Sequence, residues 1–361
     1  MLGAFSHARS LAARWVSALA LATALSASLF LAAASANATI AYERGPASGN
    51  PSIWVAEDSG ASPRLIVPAG GGFEPKIAPD ASAVAFASLP VHGNPALELV
   101  PVAGGAPTTL AANEANMNNT AWSPDAKSIA TATGQSGGRE TLVLITLATK
   151  ATRVIATGSF QGVSFSPDST QLAYARAPND RVFPTASDIY TVPIAGGASV
   201  RITSNHRSTT PVWGPTKIAF ARTRKAPGRR EDAPKSNIWL MNVDGSQVRQ
   251  LTYQKAPYLL SGPVPLQWSA SGAQLLAQFG GQDTIYGETV NPRTGAVRTL
   301  TAKKSVALQL IAAGISRDGS TVLGATGGFE PGPGHNIVSV PFAGGPVKVL
   351  IRGAFSPSWN G

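Results

Sequence analysis

An all-β fold is what this sequence predicts, on three observations. A short unit recurs at intervals of 40 to 55 residues, two series of turn signals alternate through it, and one copy is split between the two ends of the chain. Units of this length with four antiparallel strands are the blades of a β-propeller. Seven copies predict seven blades, six being the alternative. The split copy predicts a ring closed by the C-terminal strand joining the N-terminal blade.

Composition agrees. With 37 Gly, 28 Pro and 13% charged residues in 361, the chain can bury a large core but is punctuated too often for long helices. The first half of each unit ends its innermost strand on an apolar residue, in turn Ile77, Trp122, Phe165, Trp213, Trp268, Ile315 and Phe355. A turn follows, anchored at Pro79, Pro124, Pro167, Pro215, Ala270, Arg317 and Pro357, at intervals of 45, 43, 48, 55, 47 and 40 residues. The clearest copies are Trp122-Ser123-Pro124-Asp125 and Phe165-Ser166-Pro167-Asp168. Proline presets φ for a tight turn and the Asp carboxylate accepts from amides further round it, so the motif reads as hairpin chemistry. Alternating strands come next, such as Ala83-Val84-Ala85-Phe86 and Lys217-Ile218-Ala219-Phe220. The split copy places Phe355-Ser356-Pro357 before Thr39-Ile40-Ala41-Tyr42.

The second turn series runs Ser59-Gly60, Gly104-Gly105, Ala148-Thr149-Lys150, Gly196-Gly197, Asp244-Gly245, Thr294-Gly295 and Gly344-Gly345. Glycine supplies the positive φ that two-residue hairpin loops need. Each unit thus has strands a, b, c and d, with the first series joining a to b and the second joining c to d. Both series fall at one end of the strands, and the b-to-c loops and d-to-a connections at the other. The tryptophans Trp54, Trp122, Trp213, Trp239 and Trp268 read as packing residues.

The opening segment differs. Arg9 and Arg14 precede an apolar run from about Trp15 to Ala34 and then small-residue sites, which together read as a signal peptide over 1–38, cleaved after Ala36 or Ala38. The organisation expected is therefore a leader and one propeller domain over 39–361, periplasmic or secreted, touching a membrane only if the leader stays uncleaved. There is no cysteine, hence no disulfide and no lipid-modified Cys. The leader holds two arginines and no acid, so its removal takes the net charge from +10 to +8. A basic exported domain favours acidic partners, and export together with the lack of any recognised motif argues against nucleic acid.

Phe165 to Thr203 and Trp213 to Thr252 resemble the repeats of the TolB family's propeller domain, whose pattern is an aromatic, Ser-Pro-Asp, an apolar strand, Ile-Tyr or Ile-Trp, Asp-Gly and Leu-Thr. The resemblance implies a blade and says little about activity. TolB proper carries an extra α/β domain and a six-bladed ring, against the seven units counted here.

Catalytic motifs are absent or out of context. Gly134-Gln135-Ser136-Gly137-Gly138 matches G-x-S-x-G but connects two antiparallel strands, where the nucleophile would need a strand-to-helix elbow. His92, His206 and His335 have no paired metal-ligand spacing, and Glu57-Asp58 and Glu231-Asp232 read as solvated turn or loop residues. The sequence calls for no cofactor and no metal. The preferred binding element is the long b-to-c insertion bearing Arg222, Arg224, Lys225, Arg229, Arg230 and Lys235, extended by Arg176, Arg181 and Arg139 from neighbouring loops. Asn118, Asn119, Gln161, Thr210 and Gln267 start inner strands near the expected channel mouth. The function expected is non-catalytic binding of an envelope or extracellular protein, or of an anionic polymer. The rival is a propeller lyase or hydrolase acting on an anionic polysaccharide or peptide at the channel mouth.

Overall fold

The computed structural model describes residues 39–45, 51–88, 95–112, 117–134, 139–177, 187–224, 235–255, 260–281, 285–300, 310–327 and 335–361. The chain divides into residues 1–37 and 38–361; the predicted leader lies outside the described residues. Apart from one 3-10 turn at Met117–Asn119, the described elements are all strands.

Six antiparallel sheets hold the seven repeats. The first combines Phe355–Trp359, Thr39–Arg44, Ser52–Glu57 and Arg64–Val67 in that order. The second runs Gly72–Ile77, Ala83–Ser88, Leu97–Pro101, Thr108–Ala111. The fifth repeat forms Ser208–Trp213, Lys217–Thr223, Ser236–Asn242, Arg249–Gln250; the sixth Leu260–Trp268, Leu275–Gly281, Ile285–Val290, Val297–Thr299; the seventh Leu310–Ile315, Thr321–Thr326, Asn336–Pro341, Lys348–Arg352.

The third and fourth repeats depart from the expected separate four-stranded sheets. They share one seven-stranded sheet, because Ala151–Phe165 is a single long strand that pairs with Glu140–Thr146 at its start and with Gln171–Ala177 at its end. No turn-forming pair interrupts it. Gly158 and Gly162, at φ 153° and 94°, bend it instead of breaking it. A Cβ on Gly162 would stand 2.7 Å from the Cα of Thr210, so the next inner strand also needs a glycine there.

The turn between strands a and b is built as its residues dictate. In the third repeat the Ala126 amide donates to the Ser123 carbonyl (2.9 Å), the Lys127 amide to Asp125 Oδ1 (3.1 Å), and the Ser128 amide to Ser123 Oγ (2.9 Å). The fourth repeat repeats this with Ser166 and Asp168. Where Arg317 replaces the proline, Ser316 and Asp318 still accept from Thr321 and Ser320, so the Ser and Asp side chains rather than proline carry the turn. The Leu-Thr or Ile-Thr motif is structural too: Thr203 and Thr252 accept through Oγ1 from the amides of Ile189 and Ile238, pinning strand d to the start of strand c.

One expectation is corrected at the C-terminus. In six repeats the apolar anchor pairs with the second residue or its equivalent of strand b, as Trp122 with Ile129 and Trp213 with Ile218. In the first sheet the residue opposite Ile40 is Trp359, and Phe355 pairs instead with Glu43. Trp359 is therefore the anchor, four residues beyond Phe355. Ser356 has φ 46°, matching Glu74 at 52° and Thr210 at 48°, the bulge residues three positions before their own anchors. A proline follows each of the three: Pro75, Pro211 and Pro357. Ser-Pro thus occurs on both sides of the anchor in this repeat, and the copy at 356–357 belongs to the bulge before it.

Side chains fasten each inner strand to the next. The Ile77 amide donates to Ser358 Oγ (3.0 Å), Trp122 Nε1 to the Lys76 carbonyl (3.0 Å), the Gly162 amide to Asn119 Oδ1 (2.8 Å), the Trp213 amide to Ser164 Oγ (3.1 Å), Trp268 Nε1 to the Val212 carbonyl (3.0 Å) and the Ile315 amide to Gln267 Oε1 (3.1 Å). Asn119 and Gln267, expected near the channel mouth, tie neighbouring repeats together.

The apolar core lies between consecutive sheets. Ala41, Ile53 and Val55 pack with Val84 and Phe86, joining the first repeat to the second; Ala173, Ile189, Ile218 and Phe220 join the fourth to the fifth. Ile40, Tyr42 and Ala56 pack with Leu323, Ile337 and Ile351, joining the seventh to the first. The strand alternation decides this: one face of each sheet meets the preceding sheet and the other meets the following one.

Candidate functional site

At the end of the strands that carries the b-to-c loops, strand b closes on an arginine in three repeats: Arg44, Arg176 and Arg222. The site begins with Arg222. Cross-strand pairing sets Phe220 beside Trp239 and Arg222 beside Asn237 on the face toward the fourth repeat. The guanidinium of Arg222 lies over the Trp239 ring at 4.2 Å from its centroid and over Phe220 at 5.4 Å. Arg44 sits likewise over Tyr42 and Trp54 at 5.5 and 5.2 Å. Cation–π packing is thus a recurrent device of this repeat and holds the guanidinium plane in place.

In the fifth repeat the device opens onto a cleft. A space of about 370 Å³ is lined by Arg207, Arg222, Thr223, Arg224, Asn237, Trp239 and Gln250. Arg207 arrives because Ser208 pairs with Arg222 and the Thr223 amide donates to the Arg207 carbonyl at 3.0 Å. Arg224 is held where its amide donates to the Lys235 carbonyl at 2.7 Å, across the base of the insertion. Among the described residues no carboxylate stands within ion-pair distance of these three arginines. Nε of Arg222 is buried without a hydrogen-bond partner, as is that of Arg176. Burial and then the charge of Arg207 push the Arg222 guanidinium below its ordinary value, while Asp188 acts the other way. It stays charged at any working pH.

Asp188 is committed elsewhere. It accepts from Arg201 Nη2 at 2.6 Å, lies 2.9 Å from His206 Nδ1, and accepts from Thr203 Oγ1 and the His206 amide. The cleft's amides are also engaged: Asn237 Oδ1 accepts from Thr252 Oγ1 and the Gln254 amide, and Gln250 Nε2 donates to the Thr252 carbonyl. The guanidiniums, with the Thr223 side chain beside them, are what the cleft has left to offer.

Of the residues expected to bind, Arg222 and Arg224 meet in this cleft and Lys235 flanks it. Arg176 lies against Gly158 in the fourth repeat, and Arg139 Nη2 donates to Thr157 Oγ1 at 3.2 Å in the third. Lys225, Arg229, Arg230 and Arg181 lie outside the described residues, as do Glu231, Asp232 and His92. Arg207 was missed in the sequence because it precedes strand a, some 15 residues upstream of its neighbour. Trp239, expected to pack, packs and also lines the cleft.

The groups a rival enzyme would use are placed as follows. Ser128–Thr133 and Glu140–Thr146, the strands on either side of the G-x-S-x-G stretch, pair antiparallel; Gln135–Gly138 themselves lie outside the described residues. His206 joins Asp188, whereas His335 is buried with its ring edge-on to Phe355. Among the described residues no three His, Asp or Glu side chains gather into a metal-holding group. Among the described residues three glutamates are buried. Glu43 Oε1 accepts from the Glu74 amide at 2.7 Å, Glu140 Oε2 from the Phe160 amide at 3.0 Å, and Glu288 Oε2 from Gln254 Nε2 at 2.8 Å. Burial pushes the carboxyls of Glu43 and Glu288 up to about 7. Glu43 and Glu140 fasten adjoining strands, and Glu288 ties its strand to the segment that follows Arg249–Gln250.

Sheets fastened edge to neighbour in this way define a class, the β-propellers. Solved structures bear this out: the chain superposes on the β-propeller domain of the trilobed protease from Pyrococcus furiosus with a TM-score of 0.56 at 11% identity, covering 78% of this chain and 85% of that one. Within the class its fold is that of the TolB-like propellers. TolB from Acinetobacter baumannii matches with a TM-score of 0.52 at 16% identity over 90% of this chain, which spans 66% of TolB's length. An oligogalacturonate lyase solved with manganese is similar as well, with a TM-score of 0.54 at 18% identity over 88% of this chain and 85% of the lyase. No family model and no curated protein matches the sequence. Likeness at these identities extends to the fold, which binding proteins and enzymes share.

Proposed function

We propose that the protein is an exported propeller of seven blades that works as a non-catalytic scaffold for an acidic protein of the envelope or extracellular space. Packing clusters linking each repeat to the next, and the seventh to the first, support a closed ring of seven. The pairing of Phe355–Trp359 with Thr39–Arg44 supports closure by the C-terminal strand. The basic, apolar and small-residue order of positions 9 to 38 supports export to the periplasm or beyond; among the described residues no helix is long and apolar enough to cross a membrane.

The observation that carries the scaffold reading is the cleft lined by Arg207, Arg222 and Arg224 with no described carboxylate against them. Clustered cations on a rigid frame favour anionic partners and raise their association rate. The test is affinity capture with the full chain, expressed in its own host, against the same chain carrying Arg207→Gln and Arg224→Gln. A protein recovered in stoichiometric amount, released by salt and lost with the double variant, supports the reading. Turnover of a polysaccharide or peptide by the purified chain refutes it.

A further inference from the structure

We infer that the cleft between Arg207, Arg222 and Arg224 is a carboxylate-binding site that takes an Asp or Glu side chain of an acidic protein segment. The inference rests on the scaffold reading and gives its contact a chemistry.

Two observations point to a carboxylate. First, like charges are gathered at a half-buried place. Arg207 and Arg222 face one cleft of about 370 Å³, and Asp188, the acid that acts on Arg222, is already held by Arg201, Thr203 and His206. An anion between the guanidiniums would relieve a repulsion that the described residues leave in place. Second, Arg222 is pre-oriented. Its guanidinium plane is fixed over Trp239 and Phe220, and a fixed planar fork matches a carboxylate by two parallel N–H bonds with little further loss of side-chain freedom.

The same geometry chooses the source of the carboxylate. A sugar polymer would need an open aromatic face and uncommitted amides for its hydroxyls. Here the Trp239 face is covered by Arg222, Asn237 accepts from Thr252 and Gln254, and Gln250 donates to a backbone carbonyl. What is left over is positive charge and one hydroxyl, that of Thr223, in a space that admits a short acidic side chain.

The experiment is a titration of the full chain, followed by isothermal calorimetry and tryptophan fluorescence, with poly-L-glutamate, polygalacturonate and inorganic sulfate as separate probes. Poly-L-glutamate is expected to bind, to weaken with salt, and to change the fluorescence because Trp239 lies under the bound arginine. Charge-assisted bonds of about 1.5–3 kcal/mol imply that Arg222→Gln loses about ten-fold or more in affinity. Arg222→Lys should lose nearly as much, since one ammonium cannot replace a fork. Arg207→Gln, whose side chain is not stacked on Trp239, should weaken binding while leaving the melting temperature unchanged, and it serves if Arg222 variants fail to fold. Equal affinity of Arg207→Gln and wild type overturns the site. Tighter binding of polygalacturonate than of poly-L-glutamate overturns the acidic protein segment as its occupant. Capture of a host protein that survives both arginine variants sinks this inference but leaves the scaffold reading standing; arginine-dependent binding of poly-L-glutamate with no captured protein does the reverse.

Discussion

Replacing Glu43 with Gln should make the protein more stable at neutral pH and leave it nearly unchanged in mild acid. Glu43 is 3% exposed, on the strand between the C-terminal strand and Ser52–Glu57, where its Oε1 accepts from the Glu74 amide and its carboxyl meets the Ser356 hydroxyl. Burial raises its pKa from the ordinary 4.5 to about 7. The folded chain therefore keeps a proton that the unfolded chain has lost, and folding takes up a proton between those two values. Stability is greatest below the unfolded value and falls as pH rises through the folded one. A difference of about 2.5 units at about 1.4 kcal/mol per unit gives about 3 kcal/mol lost by pH 8. Glutamine keeps a carbonyl for the Glu74 amide and does not ionise. Urea unfolding of wild type and Glu43→Gln at pH 5, 6, 7 and 8 measures the gap between them, and carboxyls common to both largely cancel. The gap should grow by about 2.5 kcal/mol from pH 5 to pH 8, part of the total having been lost already at pH 5. A gap that stays constant across that range would refute the reasoning.

Two further outcomes follow from the fold. Trp359→Ala should destabilise by about 3 kcal/mol, as loss of a packed indole does, whereas Pro357→Ala should cost less than about 1 kcal/mol because Pro357 sits in a bulge; thermal or urea unfolding of the two variants compares them, and the reverse order would reinstate Phe355 as the anchor. Ser123→Ala removes the fully buried acceptor of the Ser128 amide and the hydroxyl that donates to Asp125, and should lower stability by about 1–2 kcal/mol in the same assay; no loss would mean that the turn holds on backbone bonds alone.

The repeat, its turns and the all-β class could be read from the sequence because each is encoded locally. Period-two alternation sets the strands. Ser and Asp two residues apart close the a-to-b turn with their own oxygens, so the signal survives even where Arg317 replaces proline. The pairing of the two chain ends was legible too, but not its register. Ser-Pro stands before the anchor at Ser356 and after it at Ser166, and only pairing opposite Ile40 shows that Trp359 holds the anchor position. The fusion of the third and fourth repeats was hidden as well, since two glycines can bend a strand or break it and contacts with Thr210 help decide which. In the cleft, Arg222 and Arg224 were visible as a basic run, while Arg207 and Trp239 came to them through strand pairing. Local chemistry determines where a chain turns and which residues alternate; which residues meet across sheets depends on register and packing between segments far apart in sequence, and only the tertiary structure decides that.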